Sequence, residues 1–247
     1  MDKDSRTVLI TGSTSGIGLS CALLFAERNW NVVCLAKKSS SFNKIKKEID
    51  GKFEKFEFHE VDFSRKDSIH NFFEKKQFKF KHIDALINSA GTSTKTNIEN
   101  LSDNEWQEIF QINVNASFQM IRESIKYMNK TRYPTIVNIS SIAGRLRSIS
   151  LSCAYSSSKA AVIGMTRHLA MELSPYEIRV NCLAPGQTIT PMLSSALSKE
   201  GQKSLAKNLP LKRLASPLEQ AKIIYFLSSS DSSYINGAII DSNGGAL

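Results

Sequence analysis

The chain has 247 residues, 32 of them Lys or Arg against 23 Asp or Glu, for a formal charge of +9, and 41% are hydrophobic. This length suits one large domain with its own core, and the composition is that of an ordinary soluble globular protein. The basic residues are interleaved with acids, as in Lys44-Ile45-Lys46-Lys47-Glu48, and no basic run or aromatic-basic motif points to nucleic acid as a partner. Met1 to Arg6 lacks an apolar signal core, and no apolar stretch of ~20 residues is present to span a membrane. The four cysteines, Cys21, Cys34, Cys153 and Cys182, show no C-x-x-C spacing. They are expected to be reduced in a cytoplasmic chain, with neither a disulfide framework nor a metal site.

In chain order, Thr7 to Thr11 is a short continuous apolar run, the mark of a strand buried on both faces. It enters Gly12-Ser13-Thr14-Ser15-Gly16-Ile17-Gly18, and a helical spacing of Leu19, Ala22, Leu23, Phe25 and Ala26 follows. Strand, glycine turn and helix form a phosphate-binding arrangement, because glycines admit a pyrophosphate and the helix start offers free N–H groups. The spacing is G-x-x-x-G-x-G, not the general G-x-G-x-x-G fingerprint.

Asn31 to Ala36 reads as a second strand. It ends in Lys37-Lys38-Ser39, where an NAD site wants an acid for the ribose 2′-hydroxyl. Lysines there attract a 2′-phosphate and Ser39 can hydrogen-bond it, so NADP(H) is inferred over NAD(H); the alternative is that they only begin a loop. A helix is expected over Ser40 to Ile49 and a third strand over Phe56 to Asp62. Asp62, at the carboxyl end, either bonds an adenine amino group or caps a helix. A helix over Ser68 to Lys76 and a strand over Ile83 to Asn88 follow, the latter ending at Asn88-Ser89-Ala90-Gly91.

Trp106 to Tyr127 predicts a long amphipathic helix holding Asn113 at mid-length, in a chemical or a structural role. Thr135 to Ile139 is a fifth strand leading to Ser140-Ser141, Ile178 to Ala184 a sixth ending at Pro185-Gly186, and Ala238 to Asp241 a seventh. Gln187 to Leu214 has the small, polar, lysine-bearing look of a substrate lid, and Leu218 to Leu227 is the final helix. The alternation predicts one α/β domain over residues 1–247, a Rossmann-type doubly wound parallel sheet of about seven strands with helices on both faces.

Tyr155-Ser156-Ser157-Ser158-Lys159 organises the rest. Four residues on a helix put the phenol and the ammonium on one face, about 6 Å apart along the axis. A fixed cation beside a phenol is expected to lower its pKa from about 10 and fit it for proton transfer.

Together, Thr11-Gly12-x-x-x-Gly16-Ile17-Gly18, Asp62, Asn88-Ser89-Ala90-Gly91, Asn113, Ser141, Tyr155-x-x-x-Lys159, Pro185-Gly186 and Thr190 resemble the short-chain dehydrogenase/reductases over nearly the whole chain. Within that family the sequence looks most like the 3-oxoacyl-[acyl-carrier-protein] reductases. The extended branch has longer chains and different glycine spacing.

The resemblance implies a catalytic set of Asn113, Ser141, Tyr155 and Lys159. Tyr155 would donate a proton to a substrate carbonyl, Lys159 hold the nicotinamide ribose, Ser141 orient the carbonyl oxygen and Asn113 hold a water. It implies a nucleotide site of Gly12, Ser13, Thr14, Ser15, Gly16, Ile17, Gly18, Lys37, Lys38, Asp62, Phe63, Asn88, Ala90, Gly91, Tyr155, Lys159, Pro185, Gly186, Thr188 and Thr190. It also implies a homotetramer built through the two long helices. Ser89 stands where the family usually has a second Asn. Of the two arginines that carrier-protein reductases present to their acidic partner, Arg132 matches one, and Tyr176 stands at the other. The substrate is therefore a 3-oxoacyl thioester or, alternatively, a free small ketone, sugar or steroid-like alcohol. A catalytically silent NADP-binding protein is the reading from a different class.

Overall fold

The apolar runs stand side by side in one parallel sheet. In the computed structural model, which describes residues 6–75, 78–128, 133–148 and 150–246, the strands are β1 (Thr7–Thr11), β2 (Asn31–Ala36), β3 (Phe56–Glu60), β4 (Ala85–Asn88), β5 (Thr135–Ile139), β6 (Arg179–Pro185) and β7 (Ile239–Ser242). Their order is β3-β2-β1-β4-β5-β6-β7, every neighbouring pair parallel. The helices are α1 (Gly16–Glu27), α2 (Ser40–Ile49), α3 (Lys66–Glu74), α4 (Asp103–Phe110), α5 (Ala116–Ser124), α6 (Ile142–Arg145), α7 (Cys153–Glu172), α8 (Pro191–Ala196), α9 (Lys199–Asn208) and α10 (Pro217–Ser228). The single α/β unit expected from the sequence is thus the fold observed.

Alternating strand residues explain why the runs are continuously apolar. Leu9, Val33, Leu35, Leu86, Ile136 and Val180 join a core on one face with Ile69, Phe72, Phe73, Met120 and Leu173 of the helices there. Val8, Ile10, Val32, Cys34, Ile87, Val137 and Leu183 point to the other face, against Cys21, Phe25, Ile224 and Leu227. Burying both faces requires a crossover helix between parallel neighbours. The strand order reverses between β1 and β4, and the crevice beyond their carboxyl ends is where such sheets bind ligands.

Several boundaries differ from the sequence expectation, each for a local reason. The helix expected from Trp106 begins at Asp103, because Ser102 and Glu105 form a capping box. It is also interrupted by a π-helical turn, Gln111–Asn115, between α4 and α5, and Asn113 lies in that turn. Such turns cluster at functional positions. The expected end of the following-strand helix at Lys76 lies outside the described residues; its described part starts two residues early, at Lys66. Gln187 to Leu214, expected as a lid without strand character, carries α8 and α9, started by Thr190 and Ser198 hydroxyls that accept from Leu193 and Gly201 amides. Arg132 also lies outside the described residues. Tyr176 is 49% exposed, on a 3₁₀ turn after α7.

A Cβ placed on Gly144 of α6 would lie 2.6 Å from the carbonyl carbon of Lys159 and 2.8 Å from the amide nitrogen of Ala160. These are backbone atoms and cannot rotate away. We predict that Gly144→Ala forces α6 off α7 and costs about 1–3 kcal/mol, read as a lowered urea midpoint; an unchanged midpoint would refute the close fit.

Candidate active site

The switch point is closed by short polar contacts between β1 and β4. The Thr11 hydroxyl accepts from the amides of Ser89 (3.0 Å) and Ala90 (2.9 Å). Gly12 has φ +66°, and a Cβ there would lie 2.8 Å from Ala90 Cα. A Cβ on Gly18 would strike the Gly12 carbonyl oxygen. Only glycine fits either place, because neighbouring backbone already occupies the position a side chain would take. Ser15, at the α1 N-cap, makes no side-chain capping bond, and the first turn has no acidic residue. The leading amides therefore have no side-chain acceptor, as an anion-binding turn requires.

From this turn a cleft of about 1140 Å³ runs across the carboxyl ends of the strands. That exceeds the roughly 300–1,000 Å³ usual for one small ligand. The sequence-predicted residues that line it are Gly12, Thr14, Ser15, Gly16, Ile17, Gly18, Lys37, Asp62, Phe63, Ala90, Gly91, Ser141, Tyr155, Lys159, Pro185, Gly186, Thr188 and Thr190. Ser13, Lys38, Asn88 and Asn113 do not. The Ser13 hydroxyl turns inward to the Leu35 carbonyl (3.3 Å), and the Lys38 ammonium pairs with Glu60 (3.7 Å). The Asn88 amide donates to Asn138 (2.9 Å) inside the sheet.

At the end of β2, the Lys37 ammonium lies 3.4 Å from the Asp62 carboxylate. Asp62 caps no helix: it accepts from the Ser64 amide (3.0 Å) and hydroxyl (2.6 Å). Burial pushes its pKa up, but the Ser64 bonds and Lys37 outweigh this and hold it below the usual carboxylate range. Ser39 lines the cleft while its hydroxyl caps α2, accepting from the Phe42 amide.

The chemical residues converge where β5, α6 and α7 meet. Ser141 is the N-cap of α6 and accepts from the Ala143 amide (3.1 Å). Tyr155 lies in the first turn of α7, its amide donating to Ser152 Oγ (3.3 Å). The Lys159 ammonium donates to the Ile139 carbonyl (2.8 Å) and lies 5.9 Å from the centre of the Tyr155 ring. Asn113 Nδ2 donates to the Thr92 carbonyl (3.0 Å) and Ser158 Oγ (2.9 Å), and its Oδ1 accepts from the Thr92 amide (2.8 Å). The side chain thus staples the loop after β4 to α7. A Cβ on Gly91 would sit 3.4 Å from both Asn113 Oδ1 and Lys159 Nζ.

Electrostatically the pair differs from the sequence expectation. Burial pushes the Tyr155 phenol up rather than down, with the neighbouring Ser141 hydroxyl opposing. Burial also brings Lys159 down to about 8, against a small upward pull from Cys182. Desolvation is the largest cause at both groups and pushes each toward its neutral form, which for the phenol is the protonated one.

Sequence reasoning passed over Ser64, Thr92 and Glu108 as cleft-lining residues, while Gln187 and Arg147 fall in the stretches, Gln187–Leu214 and around Arg145–Ser152, where it expected substrate specificity. Gln187 carries a buried Oε1 with no hydrogen-bond partner. Among the described residues, no three His, Cys, Asp or Glu side chains gather to hold a metal ion, and no helix is long and apolar enough to cross a membrane.

The chain belongs to the short chain dehydrogenase family, which it matches over residues 6–201. It is 34% identical to the 3-oxoacyl-[acyl-carrier-protein] reductase of Thermotoga maritima, over the full length of both chains. Its structure is similar to that of L-sorbose reductase from Gluconobacter frateurii complexed with NADPH and L-sorbose (TM-score 0.89, 29% identity, 99% of this chain and 97% of that one). It is also similar to 4-hydroxyisoleucine dehydrogenase complexed with NADH (TM-score 0.88, 29% identity, 98% of each chain). The protein is an oxidoreductase of this family.

Lys159 yields a pH test. A buried lysine held near 8 costs the fold most while charged, below pH 8. Between 8 and the unfolded value of 10.5 the unfolded chain binds more protons, so stability rises with pH. In the nucleotide-free protein, wild type should gain on Lys159→Met across this window in thermal unfolding. A constant difference from pH 7 to 10.5 would show that the ammonium is not desolvated.

Proposed function

We propose that the protein is an NADP(H)-dependent carbonyl reductase that converts a 3-oxoacyl thioester or related ketone to a secondary alcohol, with Tyr155 as proton donor. The observation that carries this reading is the single cleft shared by the glycine turn, Lys159, Ser141 and a protonated Tyr155. The residues fit a nicotinamide nucleotide. The side-chain-free turn at Gly12 and Gly18, which lines the cleft, and the amides at the start of α1 suit its pyrophosphate, and the orphan Gln187 Oε1 suits an N–H donor. Lys37 and Ser39 at the cleft edge suit a 2′-phosphate, which would take Lys37 from Asp62.

Bound NADPH supplies the hydride for the carbonyl carbon. Tyr155 gives its hydroxyl proton to the carbonyl oxygen, and burial favours the protonated form that this requires. Ser141 donates to the same oxygen and orients it. Lys159 holds the ribose and stabilises the phenolate left behind. Asn113 fixes the Gly91-Thr92 loop beside Lys159 and holds the water through which the proton is replaced. α8 and α9 act as the substrate lid. Exposed Trp106 and Phe118, on the α4–α5 helix, suit a tetramer interface, and four unpaired cysteines suit a reducing cytoplasm.

Tyr155→Phe should lose activity by roughly 10²–10⁴-fold in NADPH oxidation with β-keto esters, while nucleotide affinity by calorimetry stays within a few-fold. Full activity in that variant would overturn the assignment.

Replacing Ala36 with Asp and Lys37 with Ser should reduce the preference for NADPH over NADH by roughly 10–100-fold, the weight of one charge-assisted hydrogen bond. The measurement is the ratio of kcat/KM for the two nucleotides; a wild type that already prefers NADH defeats the charge reasoning.

A further inference from the structure

The cleft is also lined by Leu146, Leu151, Met192, Leu193, Leu197 and Leu205. Walls of this kind favour an aliphatic body. Three basic side chains line the cleft: Lys37, Arg147 and Lys159. Lys37 faces Asp62 and Lys159 is bonded to the Ile139 carbonyl. Arg145, the last residue of α6, is held by two bonds to Asp241 (3.1 and 3.0 Å). Arg147 has no ion-pair partner among the described residues, and neither acid lining the cleft, Asp62 or Glu108, lies within ion-pair reach of it.

Its position separates it from the Lys37 end of the cleft, where a 2′-phosphate would lie. Arg147 follows β5, whereas Lys37 follows β2, and those two strands are three intervals apart in the sheet, about 14 Å. The Arg147 loop is instead fixed to the helix of the reactive phenol. The Ser148 amide donates to Ser156 Oγ (3.1 Å), one residue past Tyr155, and the Leu151 amide to Ser148 Oγ (2.8 Å). Arg147 is exposed and lines the same cleft as the apolar side chains, and a guanidinium can match a carboxylate through two parallel bonds.

We propose that Arg147 anchors a carboxylate, and that the substrate is a free aliphatic oxo acid rather than a carrier-bound thioester, which has no carboxylate at that end. This rests on the carbonyl-reductase assignment above.

The test compares wild type, Arg147→Gln and Arg147→Lys in NADPH oxidation with 2-, 3-, 4- and 5-oxohexanoate, their ethyl esters, and a 3-oxohexanoyl carrier-protein thioester. In wild type at least one acid should be preferred to its ester. Arg147→Gln should raise the KM for that acid roughly 10–100-fold with little change in kcat, move the ester's KM by less than about threefold, and be partly rescued by Arg147→Lys. A wild type that treats acid and ester alike overturns the proposal, as does an acid KM that Arg147→Gln leaves unchanged. A loss confined to the thioester also overturns it, assigning Arg147 to an acidic carrier surface. A second readout is independent of turnover: the same oxo acids are titrated calorimetrically into the NADPH-loaded Tyr155→Phe protein, with and without Arg147→Gln. Binding that depends on Arg147 supports the anchor even if no compound is reduced, an outcome that would sink only the reductase assignment. Binding that ignores Arg147, or none, overturns the anchor.

Discussion

The geometry of the site depends on how Lys159 is gripped at both ends. Its backbone carbonyl accepts from the Ser140 hydroxyl (2.7 Å), and its ammonium donates to the carbonyl of Ile139 (2.8 Å). Both partners come from the carboxyl end of β5, so one residue of α7 is tied twice to one strand. Gly144 lets α6 pass at backbone contact over the same point. Ser141 opens α6 and Tyr155 sits one turn before Lys159, so this clamp sets the register of the serine, the phenol and the ammonium together. A loose connection here would cost activity even with every residue present, because proton transfer needs its partners within hydrogen-bonding reach.

The same clamp carries an electrostatic cost. Two ionisable groups are withdrawn from water, and each is pushed toward its neutral form. For the reduction proposed above this is the useful direction at the phenol, since a proton to be given away must first be held. The y-x-x-x-K spacing speaks only of proximity and suggests an acidified tyrosine. Spacing carries no information on burial, and here burial is the larger effect.

The same distinction separates what the sequence displays from what it hides. Strands buried on both faces must be apolar throughout, so β1, β2 and β5 are legible to the residue. The glycine turn is legible because a backbone collision excludes any other side chain at Gly12 and Gly18. The π-helical turn around Asn113 is hidden, since it changes a hydrogen-bond ladder without changing the apolar period. Ser13 and Asn88 sit within motif positions, yet their side chains serve the sheet interior; a motif fixes backbone position and leaves side-chain direction open. Thr190 and Ser198 are ordinary N-cap residues, but the short, polar helices they start bury too little to show a period.

That shallow burial divides the cleft by rigidity. The nucleotide half is made of backbone and strand ends, with Val8, Ile10, Leu35 and Ile87 fully buried beneath it. The other half rests on α8 and α9, neither of which contains a buried residue. Elements with few buried contacts open at low free energy and accept substitution cheaply. One fold can therefore keep a constant nucleotide grip while its substrate wall changes, as expected when function is grafted onto a shared scaffold. On the reading proposed above, the identity of the substrate is written in weakly constrained residues, the leucines of α8 and α9 and the loop bearing Arg147. Those positions lie outside every motif that reveals the family.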